Sequence, residues 1–328
     1  MTTPVPTDVP GLFALPLPTP FPIGRINTYL ARGDNLTLID TGVNTEKSYG
    51  ELRTGLATLG VRPADLDRII LTHHHTDHLG LVARLAEESG AEVWCHRRCV
   101  PFVSQPAEAR AYLRDWSVGV WQEGGVPEGL LALTEQVFRW FEAMSNGPAA
   151  VSRVLEDSEI ITLLGRDWTV LHTPGHAGDL ICLYEPSGGV LLSSDHLLGR
   201  VSSNALIEPP DPGQKRPRRL LDYMAQLRRV AELAPRVAYA GHGEPVTDVP
   251  ALVEARLAFH RQRAEHVLSL LRGSPRSLYD LTESMFAHVT EAEKFLALSE
   301  VLGHLDWLER DGRVVRVPQE THTCWQAA

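Results

Sequence analysis

Cysteine is scarce in this sequence: Cys95, Cys99, Cys182 and Cys324 are the only ones among 328 residues. They are too few for a disulfide scaffold, and none forms a CxxC pair. A chain of this length buries most of the surface it exposes when unfolded, so it needs no disulfides to hold it. No run of 18 apolar residues occurs, which excludes a membrane-spanning helix and gives no reason to expect a membrane partner. The start, Met1-Thr-Thr-Pro-Val-Pro, lacks the basic opening and apolar stretch of a signal peptide. A soluble, reducing, cytoplasmic setting is therefore the expectation. Positive charge is in deficit, with 31 Lys and Arg against 41 Asp and Glu and a formal net charge of −10. That balance weighs against a general nucleic-acid role, because phosphate binding needs clustered positive charge. Apolar residues are not lacking: 43% hydrophobic and 22% charged is globular composition, with room for one large domain or a domain plus an appendage. What is abundant is histidine, at 14.

Along the chain, a proline-rich stretch to Pro22 reads as an extended lead-in. Strands are expected over 27–31 and 35–39 across the Arg32-Gly-Asp34 turn, with Asp40-Thr-Gly42 ending the second. A helix over 47–59, a strand over 68–71, a helix over 79–88 and a strand over 92–95 follow, and this alternation says α/β. Residues 97–150 break the pattern. They are helical in tendency and carry Phe102, Tyr112, Trp116, Trp121, Phe138, Trp140 and Phe141. One reading is a helical insertion with its own small core; the other is a cap over a cleft that some of the aromatics line. Strands resume over 159–164, 168–172, 180–184 and 190–193, then a helix over 218–233 and a strand over 237–240. Helices over 252–271, 278–288 and 292–310, with a turn-linked strand over 314–317, resemble a winged helix. The expected division is a catalytic domain over 1–248 and a helical, winged-helix-like domain over 249–328.

The segment Leu71-Thr-His-His-His-Thr-Asp-His-Leu-Gly80 lies between a strand and a helix and contains His-x-His-x-Asp-His at His73, His75, Asp77 and His78. By composition alone such a pattern arises on the order of once in a thousand chains. Residues two apart in an extended loop point the same way, so His73 and His75 can present imidazoles to one metal. Asp77 and His78, at the start of the next helix, are offset enough to serve a second. Imidazole and carboxylate are the ligands of catalytic zinc sites, which keep a position open to water. Four residues cannot complete two coordination spheres. The candidates to complete them are His176 in Thr173-Pro-Gly-His-Ala-Gly178, Asp195 in Ser193-Ser-Asp-His196 and His242 in Ala240-Gly-His-Gly243, each in a loop after a strand.

This ordered set resembles the metallo-β-lactamase superfamily, over roughly 20–248, and the Asp40-Thr-Gly42 turn fits as well. The resemblance implies a four-layer αββα sandwich with the site along one edge of the two sheets. It implies His73, His75 and His176 on one metal, Asp77, His78 and His242 on the other, and Asp195 bridging both. Two divalent cations are implied, zinc first, with iron or manganese as alternatives. A zinc β-lactamase proper is disfavoured, because the second site has no cysteine. Thr72-His-His-His-Thr-Asp-His78 resembles glyoxalase II, a thioester hydrolase. Leu221-Asp-Tyr-Met-Ala-Gln-Leu227, Gly241-His-Gly-Glu244 and His260-Arg-Gln-Arg263 resemble instead a β-lactamase-like branch with a C-terminal winged helix, some members of which cleave single-stranded RNA. One departure from the family pattern is Ser194, where glycine usually precedes the bridging aspartate.

The expected activity is hydrolysis of a small carbonyl substrate, thioester or lactone-like, by a metal-bridging hydroxide. The alternatives are an endoribonuclease acting on single-stranded RNA and a non-enzymatic winged-helix regulator. Asp77 and Asp195 are expected to act in catalysis, and His196 either in proton transfer or as a hydrogen-bonding neighbour. Thr72 and Thr173 are expected to orient ligands, and His74 to point away from them. The basic run Lys215-Arg-Pro-Arg-Arg219 is either solvated charge or an anion site. Residues 291–310 hold Glu291, Glu293, Glu300, Asp306 and Glu309 against Lys294 and Arg310, so packing on the catalytic domain or on a homodimer partner is favoured over a DNA groove.

Overall fold

The computed structural model describes residues 3–328. One sheet runs β1 (Val5–Pro6), β2 (Leu12–Leu17), β3 (Ile26–Arg32), β4 (Leu36–Ile39), β5 (Arg68–Leu71), β6 (Glu92–His96) and β7 (Arg153–Leu155), paired in that order. It is antiparallel up to β4 and parallel from there to β7. The second sheet contains β8 (Ile160–Leu163), β9 (Arg166–His172), β10 (Ile181–Glu185), β11 (Val190–Ser194) and β12 (Val237–Ala240), in the order β12-β11-β10-β9-β8. The lead-in is thus part of the sheet. Leu12, Leu15 and Leu17 of β2 are buried, and β2 pairs with β3 along its whole length. Its Pro16 is tolerated because it lies beyond the reach of β1, where the missing N–H breaks no ladder.

Alternation of side chains makes the layers. Ile70 and Trp94 of the first sheet face Trp168, Val170, Ile181, Leu183 and Tyr239 of the second, giving the core between sheets. Ile69 and Leu71 point the other way, onto helices α1 (Glu46–Thr58), α2 (Thr76–Leu79) and α3 (Val82–Ser89). Thr45 caps α1 by accepting the Ser48 N–H, and Gly90 ends α3 in the left-handed region at φ 70°. The outer face of the second sheet, with Leu171, Cys182, Leu191 and Ala238, is covered by the helices over 219–232 and 249–270, giving four layers, αββα.

The insertion forms α4 (Val100–Ser104), α5 (Pro106–Glu123) and α6 (Glu128–Ala143). After the second sheet begins come α7 (Arg219–Glu232), α8 (Val249–Leu270), α9 (Leu278–Phe286) and α10 (Lys294–Arg310). A small antiparallel sheet joins β13 (Arg276–Ser277), β14 (Val314–Pro318) and β15 (Thr323–Ala327) in the order β13-β15-β14. The insertion does not keep a core to itself. Trp121, Val126 and Leu131 pack in one cluster with Val267, Leu278, Leu298, Val301 and Trp325 of the C-terminal segment. Most of α10 is buried in this packing, including Leu298, Val301, Leu302, Leu305 and Leu308. The basic run before α7 is spent here as well: Arg216 holds the buried Asp306 at 2.5 and 2.8 Å, and Arg218 reaches Glu309 at 3.1 Å. No helix among the described residues is long and apolar enough to cross a membrane.

Candidate metal centre

The candidate ligands arrive on loops that follow strands. The loop after β5 carries His73 and His75 and runs into α2 with Asp77 and His78; His176 lies between β9 and β10; Asp195 follows β11; His242 follows β12. The fold brings them together. His73 Nε2 lies 3.0 Å from His75 Nδ1, and His176 Nε2 lies 2.9 Å from the same atom. Beside this trio, His242 Nε2 is 3.3 Å from Asp77 Oδ2, and His78 shares a second trio with these two. Asp195 stands between the trios. Its Oδ1 is 3.5 Å from His78 Nε2, and its Oδ2 is 3.5 Å from His176 Nε2 and 3.6 Å from His242 Nε2.

Hydrogen bonds on the far side of each ring decide what these atoms offer. His176 Nδ1–H donates to the Asn204 carbonyl at 2.9 Å, and His242 Nδ1–H to the Arg25 carbonyl at 2.9 Å. A carbonyl only accepts, so in each neutral ring the lone pair sits on Nε2, facing the centre. His78 Nδ1–H donates to Asp40 Oδ2 at 2.7 Å. Asp40 also accepts the Thr72 N–H and hydroxyl, each at 2.8 Å. With its proton given to Asp40, the Thr72 oxygen accepts from Ser194 Oγ at 2.8 Å and from His73 Nδ1 at 3.1 Å, which leaves the His73 lone pair on Nε2. Asp40 thus orients two ligands through one side chain.

The residues fit divalent cations on an observation internal to the site. Three imidazole nitrogens converge at about 3 Å, and a single ring proton on His75 could serve only one neighbour. His78 Nε2 and Asp195 Oδ1 are buried 3.5 Å apart and neither makes a hydrogen bond, a costly arrangement that a cation receiving both would relieve. Burial, and then the neighbouring imidazoles, hold His73 and His75 well below the usual histidine range, in the neutral form that ligates metals. Burial alone would also lower His78 and His242, but carboxylates, Asp195 foremost, outweigh it and raise both. Burial opposes ionisation of Asp195, yet His242, His78 and His176 hold it far below the carboxylate range.

Two backbone features make room. A Cβ on Gly241 would meet Asp195 Oδ1 at 2.2 Å, so only glycine lets the chain pass this close to the carboxylate. Ser194 stands at φ 47°, a left-handed conformation that glycine adopts without strain, at an irregularity in the β11–β12 register. Its bond to Thr72 gives the serine a compensating contact that glycine would lack.

Other histidines and a threonine near the site serve different contacts. His74 points away from the trios, donating its Nδ1–H to the Asp179 carboxylate at 2.8 Å and stacking on Phe102 at 4.0 Å. His172 donates to the Gly178 carbonyl at 2.9 Å. Thr173 contacts Cys182 Sγ at 3.3 Å rather than any ligand. His196 is fully buried, edge-on to Tyr223 at 5.6 Å, with neither ring nitrogen hydrogen-bonded; burial pushes it down to about 3, so it stays neutral. Sequence reasoning missed the orienting carbonyls of Arg25 and Asn204, which have no side-chain signature. It also missed the role of Asp40, whose signal was an aspartate ending a strand before Thr41-Gly42.

Aromatic side chains of the insertion stand next to the ligand loop. Thr76, between His75 and Asp77, has its hydroxyl 3.5 Å from the Phe141 carbonyl. The Phe141 and Trp140 rings meet Phe21 at 5.4 and 5.9 Å, and Phe21 belongs to the loop that ends at Arg25 and β3.

Comparison with known proteins agrees with the fold. The family model described as metallo-beta-lactamase superfamily matches residues 22–242. The chain is 38% identical over 304 residues to the probable metallo-hydrolase YqjP of Bacillus subtilis, covering 92% of each chain. It is 22% identical to an atrochrysone carboxyl ACP thioesterase of Pseudocercospora fijiensis, covering 90% of this chain and 72% of that one. Among solved structures, it is similar to the metallo-beta-lactamase family protein TTHA1429 of Thermus thermophilus, with a TM-score of 0.84 and 32% identity over 98% of this chain and 100% of that one.

Proposed function

The chain belongs to the metallo-beta-lactamase superfamily and is a metal-dependent hydrolase of it; on that premise we propose that it cleaves small carbonyl substrates, thioester or lactone-like, at a centre of two divalent cations. The observation that carries this reading is the convergence of the His73, His75 and His176 nitrogens, with one ring proton on His75 for two neighbours, beside His78 Nε2 and Asp195 Oδ1, which are buried without a hydrogen bond. In this reading His73, His75 and His176 would hold one cation and Asp77, His78 and His242 the other, with Asp195 placed to serve both. Cations bound there supply Lewis acidity, which polarises a carbonyl and acidifies water. Zinc suits the nitrogen-rich trio, and iron and manganese suit mixed nitrogen and oxygen donors.

The protein's own groups then position and move protons. Asp195 fixes the spacing of the two trios. Asp77 is the carboxylate we assign to take up the proton of the attacking water. Asp40, Asn204 and Arg25 keep the rings aligned. To His196, neutral and pressed against Tyr223, we assign a packing role beside Asp195 in place of proton transfer. The wall of Phe21, Trp140 and Phe141 favours an apolar acyl group over a nucleotide backbone. The thioesterase relative supports a thioester in particular. The segment over 249–328 we read as winged-helix-like in build and used for packing, since Asp306, Glu309 and Glu300 of α10 are paired with Arg216, Arg218 and Arg263.

Protein loaded with zinc, manganese or iron, given a chromogenic thioester, a lactone, a phosphodiester and a labelled RNA oligomer, tests the substrate class. Turnover of thioester or lactone, lost in Asp195→Ala, is expected. RNA cleavage lost in the same variant, without ester or lactone turnover, would replace this reading with the ribonuclease one.

A further inference from the structure

A cavity of about 330 Å³ lies between residues 200–205, α8 and α10. That volume is within the range of small-molecule sites. At its edge two buried histidines form a chain whose polarity can be worked out. His304 Nδ1–H donates to the Glu300 carbonyl at 2.7 Å, so its lone pair is on Nε2. That lone pair faces His260 Nδ1 at 3.3 Å, which must therefore carry the hydrogen, and His260 Nε2 accepts from the Ser202 hydroxyl at 3.1 Å. Burial pushes His260 down to about 3 and His304 to about 4, so both rings are neutral and every lone pair in the chain is committed. His260, Glu300 and His304 have the residue types of a metal site and ligand atoms within 4.8 Å of one another. They offer a cation nothing, because the imidazoles are spent and the Glu300 carboxylate is held by Arg263 at 2.6 Å.

What the cavity does offer is donors. Arg200, Arg256 and Arg263 line it, with Glu300 the one carboxylate among the lining residues. Arg200 is exposed and makes no hydrogen bond or ion pair among the described residues. Arg256 uses one nitrogen, Nη2, on the Leu198 and Gly199 carbonyls, each at 3.0 Å. The guanidinium of Arg200 and the other nitrogens of Arg256 are thus left for a ligand, and the planar fork of an arginine suits a carboxylate or phosphate.

We propose that this cavity binds a small organic anion, a carboxylate or phosphate, held by the guanidinium groups of Arg200, Arg256 and Arg263. The site does not depend on the hydrolase reading. It adjoins the metal centre all the same, because the Asn204 main-chain carbonyl orients His176.

Calorimetric titration of acetate, N-acetylglycine and inorganic phosphate into the full chain, with and without metal, is the test, with N-methylacetamide as the uncharged probe. The three anions are expected to bind and to compete with one another, and N-methylacetamide not at all. Arg200→Ala is expected to weaken binding about tenfold. Arg200 is exposed, so an unchanged melting temperature should accompany that loss. The affinity should be the same with and without metal. No binding of any of the three anions at about 10 mM, wild-type affinity in Arg200→Ala, or binding that vanishes with the metal would overturn the proposal; the last would place the anion on the metals.

Discussion

Two groups of buried histidines in this protein have similar composition and opposite behaviour. At the candidate metal centre the Nδ1 hydrogens of His78, His176 and His242 are drawn outward, to Asp40 and to the carbonyls of Asn204 and Arg25, and the Nε2 atoms are turned inward. In the pair formed by His260 and His304, each lone pair already receives a hydrogen. Proximity of imidazoles and carboxylates is thus not what makes a metal site. The direction of the hydrogen bonds around them is, because a ring whose lone pair is committed has nothing left for a cation.

This contrast can be broken by mutation. Asp195→Ala removes the carboxylate common to both trios, and hydrolysis should fall by on the order of a thousandfold, with metal content dropping in step. Full activity in that variant would remove the basis of the contrast. Asp40→Asn touches no proposed ligand atom, but it takes away the acceptor that turns His78 and Thr72. Competition with a chelator should show metal affinity reduced by about 10- to 100-fold.

The second pair sharpens the comparison through pH. His260 and His304 have folded-state values depressed to about 3 and about 4 by burial. Below the unfolded value of about 6.5 the unfolded chain takes up protons that the folded rings refuse, so their stabilisation is complete above about 6.5 and is lost as pH falls towards 4 and 3. Each ring should contribute about 1.4 kcal/mol per pH unit in that window. Chemical denaturation of His260→Phe should show a shallower acid loss than wild type, with its metal content unchanged. An equal slope would place a charged ring in the native state. The smallest effect belongs to Asp157, which accepts from His172 N–H and pairs with Arg229 at the surface. Burial raises its pKa, but these partners outweigh burial and hold it below the usual carboxylate value. Its contribution is therefore present at neutral pH and lost as pH falls through its folded value. Asp157→Asn should cost under about 1 kcal/mol at pH 7, and the difference should vanish in acid.

Much of the sandwich was legible, because alternating burial in a strand such as β8 and the short, wholly buried apolar runs of β5 and β11 leave patterns that a sequence displays. So were the residues that could converge, since each stands in a loop after an apolar strand. Less legible were contacts made by main chain or by distant segments. β2 hid behind its prolines, and its apolar alternation mattered more than Pro16. Trp121 and Phe138 gave no sign that their partners would be Leu298 and Phe295, because packing between segments far apart in sequence has no local signature. The acidic character of α10 was plain, but its reason, the pairing of Asp306 with Arg216, needed the fold.

The central claim is that the chain holds two cations between its two trios of ligands. Elemental analysis of protein purified and then equilibrated with zinc, iron or manganese tests it most directly. The account predicts two metal ions per chain, reduced in Asp195→Ala. Well under one ion per chain, with no gain on adding any of the three metals, would contradict it.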